Sequence, residues 1–158
     1  MKPRLLLDSS AILRSDLDFS DGGYAITAAV REEVMLGNEA LALEAGIMQG
    51  DVAIVSPDDS DMEAVRDAAR GSGDASSLSE TDMGLLACAL TLSIPLMTDD
   101  YAIQNTAKSL GIECIASQKS GIRREMRWVW SCAGCRRKMD GPGACDICGA
   151  EAKRRRKR

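Results

Sequence analysis

The chain has 158 residues, 45% hydrophobic and 28% charged, with a net charge of −4 and no histidine. That is enough for one globular domain with a small appendage, and no apolar run approaches the roughly 20 residues needed to span a bilayer. The lack of histidine excludes Ser-His-Asp and Cys-His catalysis, histidine metal ligands and a histidine base, leaving carboxylates or metal-bound water for acid–base work.

Arg4-Leu-Leu-Leu-Asp8 is predicted as a short buried strand, too continuously apolar to be half exposed. Asp8-Ser9-Ser10 supplies cap residues for a brief helix through Leu13, and Asp16 to Gly23 reads as a loop. A strand over Tyr24–Thr27 leads into a helix from Ala28 to Leu36. Gly37-Asn38 stops that helix, and another follows from Glu39 to Met48. Val52–Val55 is a strand closed by Ser56-Pro57, and Asp58-Asp59-Ser60 opens a helix to about Arg70. Gly71-Ser-Gly-Asp74 reads as a flexible break. Ser79-Glu80-Thr81-Asp82 has the pattern of a capping box at the head of a helix running through Leu90. Pro95–Thr98 is a strand with proline at its first position, Asp99 or Asp100 begins a helix that Gly111 ends, and Glu113–Ala116 is a last short strand. Strands alternating with helices predict an α/β domain, a parallel sheet with helices on both faces, over residues 1–117.

Charge is unevenly spread. Met1 to Ser120 carries 8 Lys/Arg against 20 Asp/Glu, a net of −12; Gly121 to Arg158 carries 12 against 4, a net of +8. Residues 118–127 are polar and basic and read as a linker, residues 128–150 as a cysteine-bearing module, and residues 151–158 as a disordered basic tail whose like charges repel. Such a basic segment suits phosphate neutralisation, so nucleic acid is the expected partner. At the N-terminus Asp8 interrupts the short apolar stretch and no small-residue cleavage site follows. A cytoplasmic setting is therefore expected, where thiols stay reduced.

Cys132, Cys135, Cys145 and Cys148 form two Cys-x2-Cys pairs nine residues apart. Each pair closes a tight turn whose two thiolates chelate one ion at about 2.3 Å. Four sulfurs leave no open position, so the expectation is one structural zinc rather than a catalytic one. The module has little apolar bulk beyond Trp128, Val129, Trp130, Met139 and Ile147. Metal should therefore supply most of its folding free energy, on the order of 10 kcal/mol in comparable peptides. Cys88 and Cys114 sit in apolar patterns and read as core residues.

Among the acids, Asp8 ends the first strand and Asp100 follows the strand Pro95–Thr98, so both fall beyond the carboxyl ends of strands, where doubly wound sheets bind ligands. Asp82 lies in the first turn of its helix. On the helix after Thr27, Glu33 falls about 60° from Val30 and Glu32 about 160° away, which puts Glu33 on the border of the buried face. Each acid also has a purely structural reading as a helix cap or a solvated side chain. Together, with no histidine, they suit a hard divalent cation, magnesium or manganese, and metal-assisted phosphodiester hydrolysis.

Leu5-Leu-Leu-Asp-Ser-Ser-Ala11, Val30-Arg-Glu-Glu-Val34, Leu78-Ser-Glu-Thr-Asp82 and Leu96-Met-Thr-Asp-Asp-Tyr-Ala-Ile-Gln-Asn105 occur in the order found in the PIN-domain nucleases, which this sequence resembles. The run Thr98–Asn105, followed by a basic linker and a four-cysteine ribbon, is similar to the Nob family, endoribonucleases that mature the 3′ end of small-subunit rRNA. The resemblance extends to Gly149, and the compact length looks archaeal; Ala28 stands where proline is expected. It implies a PIN-like sheet and a C-terminal zinc ribbon, with Asp8, Glu33, Asp82 and Asp100 as catalytic, metal-binding acids and Asp99 as the alternative to Asp100. Ser9, Thr81 and Thr98 would orient carboxylates or bind phosphate. The implied partner is small-subunit precursor rRNA in its pre-ribosomal particle, held by Arg123, Arg124, Arg127, Arg136, Arg137 and Lys138. A toxin-type PIN ribonuclease and a non-catalytic RNA-binding assembly factor are the alternatives.

Overall fold

A computed structural model of the chain describes residues 2–15, 17–117 and 128–156. By its internal contacts the chain divides into two units, Met1–Glu125 and Met126–Arg158. The stretch expected as a linker, with Arg123, Arg124 and Arg127, lies outside the described residues, as do Lys157 and Arg158.

The first unit is built on five short strands: β1 (Leu5–Leu7), β2 (Tyr24–Thr27), β3 (Val52–Val55), β4 (Leu96–Met97) and β5 (Cys114–Ile115). All pair in parallel, in the spatial order β3-β2-β1-β4-β5. β1 is central, and Leu6 and Leu7 are fully buried, which explains why its sequence is apolar without alternation. The chain moves outward from β1 to β3 and then crosses to β4, so the strand order reverses between β1 and β4. That reversal opens a crevice at the carboxyl ends of the two strands, and it is where Asp8 and the Thr98–Asp100 loop lie.

Among the described residues, six helices complete the unit: α1 (Ser9–Arg14), α2 (Ala28–Glu33), α3 (Gly37–Gln49), α4 (Asp59–Ser72), α5 (Glu80–Leu92) and α6 (Tyr101–Leu110). In α5, Met83 and every residue from Leu85 to Ala89 are buried. A helix apolar all round must be enclosed, and α5 packs against β1, β2 and β4 as well as α4 and α6. The predicted capping box is present: the Ser79 hydroxyl accepts from Asp82 N–H at 3.1 Å, and Asp82 Oδ2 accepts from Ser79 N–H at 2.9 Å.

Three expectations are corrected. The helix after Thr27 ends at Glu33, not Leu36, because Val34 turns out of helical geometry to bury its side chain, and α3 starts at Gly37. The segment expected as a flexible break is ordered: α4 runs through Ser72, Gly73 takes the left-handed conformation at φ 80°, and buried Asp74 accepts from Ser72 Oγ and Asn105 Nδ2. The Asp16–Gly23 loop contains a 3-10 turn, Phe19–Asp21, capped by Asp18.

The second unit is a three-stranded antiparallel sheet, β7-β6-β8, formed by β6 (Trp128–Cys132), β7 (Lys138–Met139) and β8 (Ala152–Arg156). β8 corrects the expectation of a disordered tail from residue 151. Ala152 to Arg156 pair residue by residue with Cys132 back to Trp128. A strand points successive side chains to opposite faces, so neighbouring charges separate, and the Arg154 guanidinium lies 5.1 Å from the centre of the Trp128 ring.

Candidate active site and metal centre

Asp8 is 6% exposed at the carboxyl end of the central strand. Its Oδ1 accepts from Ser9 N–H at 2.7 Å, and its Oδ2 accepts from Ser10 Oγ at 3.0 Å and from Thr98 Oγ1 at 2.7 Å. Burial pushes its carboxyl above the ordinary value; the hydrogen bonds oppose that shift, and the Asp82 charge adds to it. The Asp82 charge, 74 residues away in sequence, is the smallest of these influences.

Thr98, fully buried, connects the other side of the crevice. Its Oγ1 accepts from Asp100 N–H at 3.1 Å while donating to Asp8, and its carbonyl accepts from Gln104 Nε2 at 2.7 Å. Asp100 is exposed and caps α6, its Oδ1 accepting from Ala102 and Ile103 N–H at 2.8 and 3.2 Å. The capping reading of Asp8, Asp82 and Asp100 holds in each case: each carboxylate fixes a helix N-terminus, which in turn fixes the carboxylate.

Asp99 is held differently. Its Oδ1 accepts from Ser117 N–H at 2.9 Å and its Oδ2 from the Ser117 hydroxyl, so both oxygens face the end of β5. Its own N–H donates to Ser10 Oγ at 3.3 Å. Ser10 and Ser117 are the site residues that the sequence did not single out. Ser10 lay within the cap triplet Asp8-Ser9-Ser10, but only the crossing of β4 beside β1 brings it to Asp99.

Glu33 departs from its expected environment. It is exposed, as Glu32 is, so helical phase does not distinguish the two. With α2 ending at Glu33, the residue sits on the last turn rather than on a continuing apolar stripe. α2 does start directly from the carboxyl end of β2, the same sheet edge as Asp8.

In the second unit the ligand atoms of Cys132, Cys135, Cys145 and Cys148 all lie within 4.8 Å of one another, with Cys132 Sγ 3.2 Å from Cys148 Sγ and Cys135 Sγ 3.7 Å from Cys145 Sγ. A tetrahedral ion at a metal–sulfur distance of about 2.3 Å requires sulfurs about 3.8 Å apart. The cluster therefore fits one metal ion. Gly134 N–H donates to Cys132 Sγ at 3.3 Å, and a Cβ on Gly134 would lie 3.1 Å from both Cys148 Sγ and the Ala150 side chain. The Ala150 N–H and the neighbouring thiols hold Cys148 down at about 6, while the same cluster of thiols pushes Cys135 up to about 11. Cys88 is buried and Cys114 half-buried within the first unit, as core packing predicts. Of the basic candidates within the described residues, Arg136, Arg137 and Lys138 are all exposed.

A parallel sheet in the order 3-2-1-4-5 with Asp8 and the Thr98–Asp100 turn at its reversal, followed by a four-cysteine ribbon, defines a PIN-type nuclease architecture. The family described as PIN domain of ribonuclease matches residues 5–92. The chain is 37% identical to Endoribonuclease Nob1 of Pyrococcus abyssi, over 97% of this chain and 94% of that protein. It is 36% identical to Endoribonuclease Nob1 of Methanothermobacter thermautotrophicus, over 97% and 93%. It is also 32% identical to Ribonuclease VapC1 of Thermoplasma acidophilum, over 94% of this chain and 76% of that protein. The chain belongs to the PIN-domain endoribonucleases of the Nob family. No helix among the described residues is long and apolar enough to cross a membrane.

Proposed function

We propose that the protein is a metal-dependent endoribonuclease that cleaves small-subunit precursor rRNA at its 3′ end within the pre-ribosomal particle. The observation that carries this reading is Asp8: a buried carboxylate at the strand reversal, oriented by Ser9, Ser10 and Thr98. Asp8, Glu33, Asp82 and Asp100 would hold magnesium or manganese. Such an ion lowers the pKa of a water and offsets charge growing on the phosphate. The chain's own residues supply the orientation. Thr98 fixes Asp8 and the Asp100 backbone together, Ser10 ties Asp8 to Asp99, and the capping box holds Asp82.

The ribbon would carry one structural zinc on its four cysteines. Arg136, Arg137 and Lys138, with Arg123, Arg124 and Arg127 in the preceding stretch, would hold the RNA. A nuclease unit of strongly negative charge repels RNA, so a basic module on the same chain gives the substrate a reason to stay. The test is cleavage of an RNA spanning the small-subunit 3′ boundary in manganese, wild type against Asp82→Asn. Asparagine keeps an acceptor for the capping box, so the fold is retained while a metal-binding charge is lost. Equal cutting by both proteins would overturn the site.

The relative named Ribonuclease VapC1 supports a second reading, a toxin-type ribonuclease acting on other RNAs. Arrest of growth on expression, with no cutting at the rRNA boundary, would favour it. Binding without turnover in any divalent metal would favour a non-catalytic assembly factor.

A further inference from the structure

α5 and α6 are both enclosed, but with different side chains. From Leu85 to Ala89 every residue of α5 is buried and apolar; from Ile103 to Ala107 every residue of α6 is buried, yet Gln104, Asn105 and Thr106 are polar. A buried amide costs free energy unless it is hydrogen-bonded, whereas leucine carries no such cost. Both amides have partners: Asn105 Nδ2 donates to buried Asp74, and Gln104 Nε2 donates to the Thr98 carbonyl at 2.7 Å. The second bond stands where a sheet bond would otherwise be.

In a parallel ladder a residue bonds through its N–H and its C=O to the two residues that flank its partner. Leu96 pairs with Cys114 and Met97 with Ile115, and at this register Thr98 stands opposite Ala116. Its N–H does donate to Ile115 O, at 3.0 Å. Its carbonyl would take the Ser117 N–H, but that N–H donates to Asp99 Oδ1 at 2.9 Å. Gln104 donates to the carbonyl in its stead. The Gln104 N–H also donates to Asp100 O at 3.0 Å, so one residue holds the turn Thr98-Asp99-Asp100 at both ends.

We infer that Gln104 is a positioning residue: by standing in for the ladder donor at the Thr98 carbonyl, it releases Ser117 to hold Asp99 and leaves Asp100 as the acid of the pair open to a metal ion. This rests on the proposed metal-dependent ribonuclease reading and deepens it, because the choice between two adjacent acids is made by a side chain further along α6. Without the amide, the Ser117 N–H returns to the Thr98 carbonyl, the ladder grows by one bond, and Asp99 loses that donor. Asp99 then competes with Asp100 for the ion, and the turn has two arrangements where the native chain has one.

The experiment uses the full, zinc-loaded chain with Gln104→Met, which keeps the length of the side chain and removes the donor. Gln104→Asn, which keeps the amide but not its reach, is the milder second variant, and effects shared by the two belong to the lost bond. Amide hydrogen exchange is followed at Ser117 without magnesium or manganese. In the wild-type background Asp99→Ala should speed that exchange about 10-fold or more, as loss of a charged acceptor does. In the Gln104→Met background Asp99→Ala should leave it nearly unchanged, because the Thr98 carbonyl has become the acceptor. Manganese affinity by calorimetry should fall little on Asp99→Ala in the wild type, and about 10-fold in the Gln104→Met background. Equal acceleration of Ser117 in both backgrounds, or none in either, would overturn the inference. So would a rise in exchange spread evenly over the nuclease unit in Gln104→Met, which is what a purely structural amide gives. Manganese affinity indifferent to Asp99 in both backgrounds would overturn the selection between the two acids. Wild-type manganese affinity in Asp8→Asn would count against the metal site itself and leave the exchange result, obtained without metal, to stand.

Discussion

Thr98 donates its hydroxyl proton to Asp8 Oδ2 at 2.7 Å, across 90 residues of sequence, and accepts the Asp100 N–H with the same oxygen. One buried hydroxyl thus sets the positions of two candidate metal-binding acids just beyond the ends of adjacent strands. Valine matches threonine in shape but does neither. Thr98→Val is expected to lower stability by about 1.5–3 kcal/mol, the range for a hydrogen bond to a charged group. It should also weaken manganese binding by calorimetry, while Thr98→Ser should retain both. Wild-type manganese affinity in the valine variant would mean that Asp8 needs no such support.

The adjacent pair Asp99 and Asp100 can be separated by the same logic. Asp99 is committed to Ser117 and exposed Asp100 to the head of α6. Asp99→Asn should leave manganese affinity near wild type and lower the melting temperature, because one Ser117 donor loses its charged acceptor. Asp100→Asn should reduce manganese affinity and cleavage while keeping most of the stability, since asparagine is also a good cap. The reverse pattern would exchange the two roles.

No local signal separates Asp99 from Asp100, because Ser117 reaches Asp99 only after β5 pairs with β4. The same distinction runs through the fold. Local signals placed the strands, the Asp8 cap, the Ser79–Asp82 box and the Gly111 stop, all of which depend on a few neighbouring residues. The basic strand β8 was not legible, because charge repulsion within Lys153–Arg156 says nothing of the Trp128 ring and the β6 backbone that receive it. Glu33 was misplaced for a related reason: helical phase predicts burial only if the helix continues, and α2 stops there.

The two cysteine turns share a backbone demand that their sequences meet unequally. The residue after the second cysteine has positive φ in both, 64° at Arg136 and 73° at Gly149. Glycine takes that conformation freely, whereas a residue with a Cβ is strained by about 1–2 kcal/mol. Arg136→Gly should therefore tighten zinc binding about 5-fold or more in a chelator competition, since 1.4 kcal/mol is tenfold. Gly149→Ala should loosen it by a similar factor. Arg136 is also a candidate RNA contact, so its glycine variant should bind zinc better and RNA worse. Parallel changes in the two affinities would show that the arginine serves only the ribbon.

The six thiols should report the two units separately. Burial pushes Cys88 and Cys114 up to about 11, with the Glu113 charge adding at Cys114. At pH 8 only about one in a thousand of either is thiolate, the reactive form. In zinc-loaded protein all six should label slowly; removing zinc should expose four to rapid labelling, and denaturant the last two. A thiol whose pKa is raised on folding contributes stability that is present below its unfolded value of 9.0 and is lost as pH rises through the folded value of about 11. The nuclease unit should accordingly lose stability between pH 9 and 11, and Cys88→Ala with Cys114→Ala should flatten that part of the profile. An unchanged profile in the double variant would assign the alkaline loss to other groups. Rapid labelling of all six on zinc removal alone would mean that the nuclease unit does not stay folded without the ribbon's metal.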